Sequence, residues 1–168
     1  MRQLRRLGSA CVLALALLAL TVSTAFAASP HFIKTSASLS GANLVVSFKE
    51  AGLGDNLNIN FTASADGAAT YVCVNKGGAN PSASNKTVVA GPISASGTFN
   101  SGKNGTISAS LTLHPPFADI GCPNGQTQQL AQASYTNVAI SDTTNGVSES
   151  IPGTFTTGCL LPNVRGAC

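Results

Sequence analysis

Between residues 35 and 155 the chain alternates apolar and polar positions with a period of two, and no segment repeats apolar residues at three and four. A period of two puts successive side chains on opposite faces of a strand, one toward a core and one toward water. Residues 35–39 and 43–49 alternate in this way around Ser40-Gly41, which predicts two half-buried strands joined as a hairpin. Residues 57–63 form the cleanest strand, with Leu57, Ile59, Phe61 and Ala63 on one face and Asn58, Asn60 and Thr62 on the other. Asp66-Gly67 then reads as a turn, with residues 70–74 returning to pair with that strand.

Residues 76–85, with Gly77, Gly78, Asn80 and Pro81, read as a surface loop. Val88, Val89, Ile93 and Phe99 resume the strand signal, and Pro92 within this run predicts an edge strand or a bulge. Asn104-Gly105 suits a type I′ turn and predicts a hairpin between Phe99-Asn100 and residues 106–113. His114-Pro115-Pro116 ends that strand and opens a long loop to Gly125. Residues 128–140 read as one long strand whose alternation shifts near Ser134, as a bulge would make it. Residues 143–146 turn the chain and residues 147–155 return. About eight or nine short strands with regular turns predict an all-β fold, a two-sheet antiparallel β-sandwich of immunoglobulin-like kind, with a small β-barrel as the alternative.

The N-terminus has a different character. Arg2, Arg5 and Arg6 precede an apolar run of about 13 residues, too short for the about 20 that span a bilayer, and small residues Ala25 and Ala27 follow. This is the three-part pattern of a secretory signal cut after Ala27. It divides the chain into a signal peptide (1–27), an N-terminal lead (28–34), a β-sandwich domain (35–158) and a C-terminal tail (159–168). Cleavage removes Cys11 and three of the nine Lys and Arg, so six cations remain against six acids and the mature chain has no formal net charge. The basic balance of the whole chain is thus due to targeting. Six scattered cations do not make the cluster that neutralises phosphates, so no nucleic-acid partner is expected. No membrane span remains after cleavage.

Four cysteines are left, Cys73, Cys122, Cys159 and Cys168. An even number in a secreted chain predicts two disulfides, and four cysteines allow three pairings. Pairing Cys73 with Cys122 and Cys159 with Cys168 is favoured, because the later pair closes a short Pro-containing tail and the earlier one ties a strand to a distant loop. No close Cys-x-x-Cys pair suggests zinc. The remaining chain is rich in Ser, Thr, Ala, Gly, Asn and Val, lacks Trp and has only Tyr71 and Tyr135 as tyrosines. A core of small β-branched and aliphatic side chains is expected, one that gains from cross-links.

The stretch from Tyr71-Val72-Cys73-Val74-Asn75-Lys76 to Pro81, then Asn85-Lys86, Gly97-Thr98-Phe99, Lys103-Asn104-Gly105 and Cys122-Pro123-Asn124-Gly125-Gln126, resembles small secreted proteins of uncharacterised function from actinomycete-like, filamentous soil bacteria. The resemblance covers roughly residues 35–155. It implies a β domain and a Cys73 to Cys122 pair, and no activity; the Cys159 to Cys168 tail looks like an addition. In size, composition and two disulfides the chain is also similar to the immunoglobulin-like apoproteins of enediyne chromoproteins, with a different cysteine spacing.

Catalytic chemistry is sparsely represented. Only His31 and His114 could serve as imidazole bases, and the Gly-x-Ser-x-Gly elbow of a hydrolase is absent. The six acids sit mostly in turns, as Asp66 and Asp142 do, where capping explains them. They do not cluster as calcium requires. The expectation is therefore no enzyme, no catalytic residue, no cofactor and no metal, but a secreted binding or interaction module. Its partner would be an extracellular protein, a cell-envelope component or a small ligand. Lys76, Asn80 and Pro81 of one loop, and Pro116, Phe117 and Asp119 of the other, are its candidate binding residues, brought near one another by the Cys73 to Cys122 bond. The alternative is a secreted protease inhibitor using residues 118–124 or 159–162, or less favoured, a hydrolase with Lys76, His114 and Asp119 converging in one cleft.

Overall fold

A computed structural model describes residues 29–75 and 82–168. The predicted signal peptide, and Lys76, Asn80 and Pro81, lie outside the described residues. Among the described residues, eight strands follow in chain order: β1 His31–Ser40, β2 Asn43–Ala51, β3 Asn58–Asn75, β4 Ala83–Asn100, β5 Thr106–Leu113, β6 Gln126–Asp142, β7 Val147–Ile151 and β8 Phe155–Thr156. They form two antiparallel sheets that do not close into a barrel. One has the order β1-β2-β5 and the other β4-β3-β6-β7, with β8 paired to β6. The predicted β-sandwich is the fold.

Alternation explains how the sheets meet. Leu44, Val46 and Phe48 of β2 are buried on the inner face of the smaller sheet, and Ile59, Phe61 and Ala63 of β3 on that of the larger. Between them, Phe48 packs on Phe61 with ring centroids 4.5 Å apart, and Phe99 and Phe32 meet both rings edge-on at 5.9 to 6.3 Å. Four phenylalanines therefore form the middle of a core that the composition suggests is made of small side chains. Aromatic pairs at such distances add to the area they bury. On the outer face of the larger sheet, side chains of β3 and β4 bond across the strands: Thr98 to Asn60 (2.7 Å), Asn100 to Asn58 (2.9 Å) and Thr62 with Ser96 (2.8 Å).

Several sequence expectations are corrected. Asp66-Gly67 is not a turn: β3 runs straight through it, paired with Pro92 and Gly91 of β4 on one side and with Thr136 and Tyr135 of β6 on the other. Ladder bonds on both edges outweigh a local turn preference. Asn104-Gly105 does not make a hairpin either, because β4 and β5 belong to different sheets. A 3₁₀ turn, Gly102–Asn104, carries the crossing, and of the Asn104-Gly105 pair only Gly105 has positive φ, at 57°. The crossing is tied to the β2–β3 connection through Leu53 N to Gly105 O (3.1 Å) and Ser101 N to Leu57 O (2.9 Å). Leu57 itself is half exposed, just outside β3.

β1 begins at His31, four residues before the predicted start at Thr35, because the chain there pairs with the end of β2. Residues 83–85 belong to β4 rather than to the preceding loop. β4 is indeed an edge strand, which lets it hold Pro92 without losing a bond to a second neighbour. The irregularity expected at Ser134 falls at Asn137, with φ of 51°, and a second shift lies near Ala131.

β3, β4 and β6 are twice the length of the strands facing them, so the larger sheet projects beyond the smaller one. Other segments cover the projection on both faces. The C-terminal tail packs Leu161, Val164 and Ala167 against Val72, Val74 and Ala131. It is closed by a Cys159–Cys168 disulfide and held by Ala83 N to Arg165 O (2.9 Å). The chain after β5 crosses the other face.

Candidate functional site

Residues 114–125 make that crossing, and its course follows from a few side chains. Pro115 and Pro116 have no N–H to give a ladder and have φ fixed near −65°, so they end β5 in extended backbone. Pro116 lies over Gly67: a Cβ at residue 67 would stand 2.9 Å from the Pro116 ring and 3.1 Å from Ile93. Glycine in mid-strand is thus the contact that lets the loop lie flat on the sheet. The Tyr71 hydroxyl donates to the Pro116 carbonyl at 3.1 Å. Burial pushes the Tyr71 phenol above its ordinary value, so the donor keeps its proton.

Phe117 comes next and is 72 % exposed, its ring edge-on to Tyr71 with centroids 5.7 Å apart. Beyond it the backbone is held by one side chain. Gln128 donates its amide to Ala118 O (2.8 Å) and accepts from Ile120 N (3.0 Å). Asp119 is exposed and its carboxylate accepts from Gly121 N at 2.9 Å. Cys122 is bonded to Cys73, with Cα atoms 5.5 Å apart, so the favoured pairing of the cysteines is the one found.

These anchors are neighbours in the sheet. Tyr71 and Cys73 lie on one face of β3, and Gln128 is the partner of Cys73 on β6. A loop with exposed Phe117, Ala118 and Asp119 is therefore held at three points set by two paired strands.

No protein-family model, curated protein or solved structure matches this chain.

Of the candidate binding residues, Pro116, Phe117 and Asp119 share this loop. The bases of the two candidate loops meet: Ser84 donates to Gln126 at 3.0 Å, and Asn75 bonds Ser82. Residues 118–124 lie in the same loop, whereas Cys159 to Pro162 belong to the tail that covers the opposite face. His114 contacts Asn43 at 3.1 Å and Asp119 turns into its own loop, so each has a local partner. Among the described residues no three His, Cys, Asp or Glu come together as a metal site. Among the described residues, a hollow of about 260 Å³ beside Lys34 and Lys49 and another of about 240 Å³ beside Pro152 include no residue of the loop.

Sequence reasoning missed Tyr71 and Gln128 as loop anchors, and it missed a pair of buried acids. Glu50 of β2 and Asp142 of β6 are 0 % and 1 % exposed. Asp142 does cap the β6–β7 turn, accepting from Thr144 N (2.8 Å) and Asn145 N (2.9 Å) as its Asp-Thr-Thr-Asn context suggests. Nothing in the sequence shows that it also faces Glu50. The two disulfides fit an extracellular setting, and among the described residues no helix is long and apolar enough to cross a membrane.

Proposed function

We propose that the mature chain is a secreted, non-enzymatic interaction module that presents residues 114–125 to a protein partner. The observation that carries this reading is Phe117, a large apolar ring left in water at the tip of a loop whose backbone is fixed at Pro116, Ala118, Ile120 and Cys122. Exposing such a ring has a cost in water that folding could have avoided, and fixing the loop in advance lowers the entropy lost on binding. Buried aromatic anchors dominate the energetics of protein interfaces. The signal-like N-terminus and the two disulfides support an extracellular site of action.

The test is capture from spent medium and cell envelopes of the producing organism with the mature domain, its disulfides intact. A saturable protein partner that is lost with Phe117→Ala and kept with Lys103→Ala, a change in the 3₁₀ turn, is the expected result. A partner held equally by both variants would remove the loop from the reading. The absence of any partner at micromolar concentration would overturn it.

A further inference from the structure

We infer that the partner is a serine endopeptidase with a deep apolar specificity pocket, and that residues 115–120 form a reactive-site loop whose Phe117 fills that pocket. The inference rests on the interaction-module reading and names its partner. Proteases of this class bind substrate as an extended segment and take the side chain before the scissile bond into a specificity pocket. Here the unpaired segment after β5 reads Pro115-Pro116-Phe117-Ala118-Asp119, with a 72 % exposed aromatic ring after two prolines and a small residue after it. No Lys or Arg occurs between residues 114 and 125, so a protease selecting cations has no side chain to bind there.

What separates an inhibitor from a substrate is the fate of the cut bond, and the anchors lie on both sides of it. In the complex, the protease's serine attacks the Phe117 carbonyl carbon, and the Phe117–Ala118 C–N bond breaks. The Ala118 amine takes the serine's proton through the protease's histidine. Before the bond the chain is held at Pro116 O by Tyr71; after it, Ala118 O and Ile120 N are both held by Gln128 and Cys122 is bonded to Cys73. The freed amine thus stays beside the acyl ester and attacks it back, returning the proton to the serine. Rejoining outruns hydrolysis, and the protease stays occupied.

Inhibition of chymotrypsin-type, subtilisin-type and trypsin-type proteases by the folded mature domain tests this, read with small chromogenic peptides. We expect tight inhibition of the first two and slow cleavage at Phe117–Ala118 alone. Phe117→Ala weakens it by about 100-fold, the scale of an interface anchor. Phe117→Lys moves inhibition to the trypsin-type enzyme. Position 117 is exposed and its substitution removes only the edge-on contact with Tyr71, so both variants stay folded, with a melting temperature lowered slightly. Gln128→Ala keeps the ring and releases the brace, and is cleaved about 30-fold faster at the same bond, the scale of the two hydrogen bonds it loses. No inhibition by wild type at about 10 micromolar, or inhibition unchanged in Phe117→Ala, overturns the inference. A non-protease captured through Phe117 would overturn it too, while leaving the interaction module standing.

Discussion

Glu50 and Asp142 bring two carboxyl groups, one from each sheet, together in the core. Neither Glu50 oxygen has a hydrogen-bond partner among the described residues, while Asp142 accepts from Thr144 N, Asn145 N and the Asn145 amide. Burial first, and then the neighbouring Asp142 charge, push the Glu50 carboxyl up from 4.5 to about 7. Protonated, Glu50 can donate to Asp142; ionised, it leaves two like charges in a dry site.

This pair sets a pH dependence whose sign is opposite to that of a salt-bridged acid. Because the folded-state value is raised, the native chain holds a proton that the unfolded chain has lost between pH 4.5 and about 7. The stabilisation is complete below pH 4.5 and disappears as pH rises through about 7. Its size is about 2 kcal/mol after allowance for nearby solvent. Urea unfolding at pH 5, 6, 7 and 8 should show stability falling with pH in wild type, and a flatter profile in Glu50→Gln, which keeps a donor toward Asp142. Equal slopes in the two proteins would remove Glu50 as the cause.

The two disulfides contribute unequally. Cys73–Cys122 closes a span of 49 residues and Cys159–Cys168 one of 9. By chain entropy the first is worth about 4 kcal/mol and the second about 2.6. Replacing both cysteines of the first pair by Ser should lower the denaturation midpoint more than the same change in the second. It should also make residues 117–119 the first site of proteolysis, since Cys122 is the covalent anchor of the loop. A larger loss from the second pair would show that tail packing on Val72 and Val74 outweighs loop closure.

Gly67 transmits the shape of the sheet to the loop. A methyl group there meets Pro116 at 2.9 Å and Ile93 at 3.1 Å. Gly67→Val should cost about 1–3 kcal/mol by overpacking and lift Pro116 away from Tyr71. Thermal unfolding gives the first effect. Loss of the Tyr71–Phe117 contact gives the second, read by nuclear Overhauser effects between the rings in the variant that still folds at low temperature. An unchanged contact would mean that the loop is set by Cys122 and Gln128 alone.

The fold and the loop were readable to different depths. Alternation revealed the inward faces of β2, β3, β5 and β6, because a half-buried strand imposes its period directly on the residues. Cysteine count, tail length and strand position led to the right disulfides. The stop at Pro115-Pro116 was equally plain, since it depends on one missing donor and one fixed angle. Phe117 could be placed in a loop, but not as an exposed ring rather than a core one.

Local sequence alone determined the strand character of residues 35–39, 43–49, 58–63 and 106–113 and the inward positions Leu44, Val46, Phe48, Ile59, Phe61 and Leu111 within them, since these depend on the residue and its nearest neighbours. Tertiary structure decided whether Asp66-Gly67 bends, because pairing on both edges of β3 outweighs turn preference. It decided that β4 and β5 part into different sheets, because the crossing takes its hydrogen bonds from the β2–β3 connection. Only the packing of the two sheets brings Glu50 to Asp142, and only the pairing of β3 with β6 sets Gln128 beside Cys73 and under the loop. Those relationships join residues up to 92 positions apart, and such contacts are fixed by the summed packing of two sheets, which no local pattern encodes.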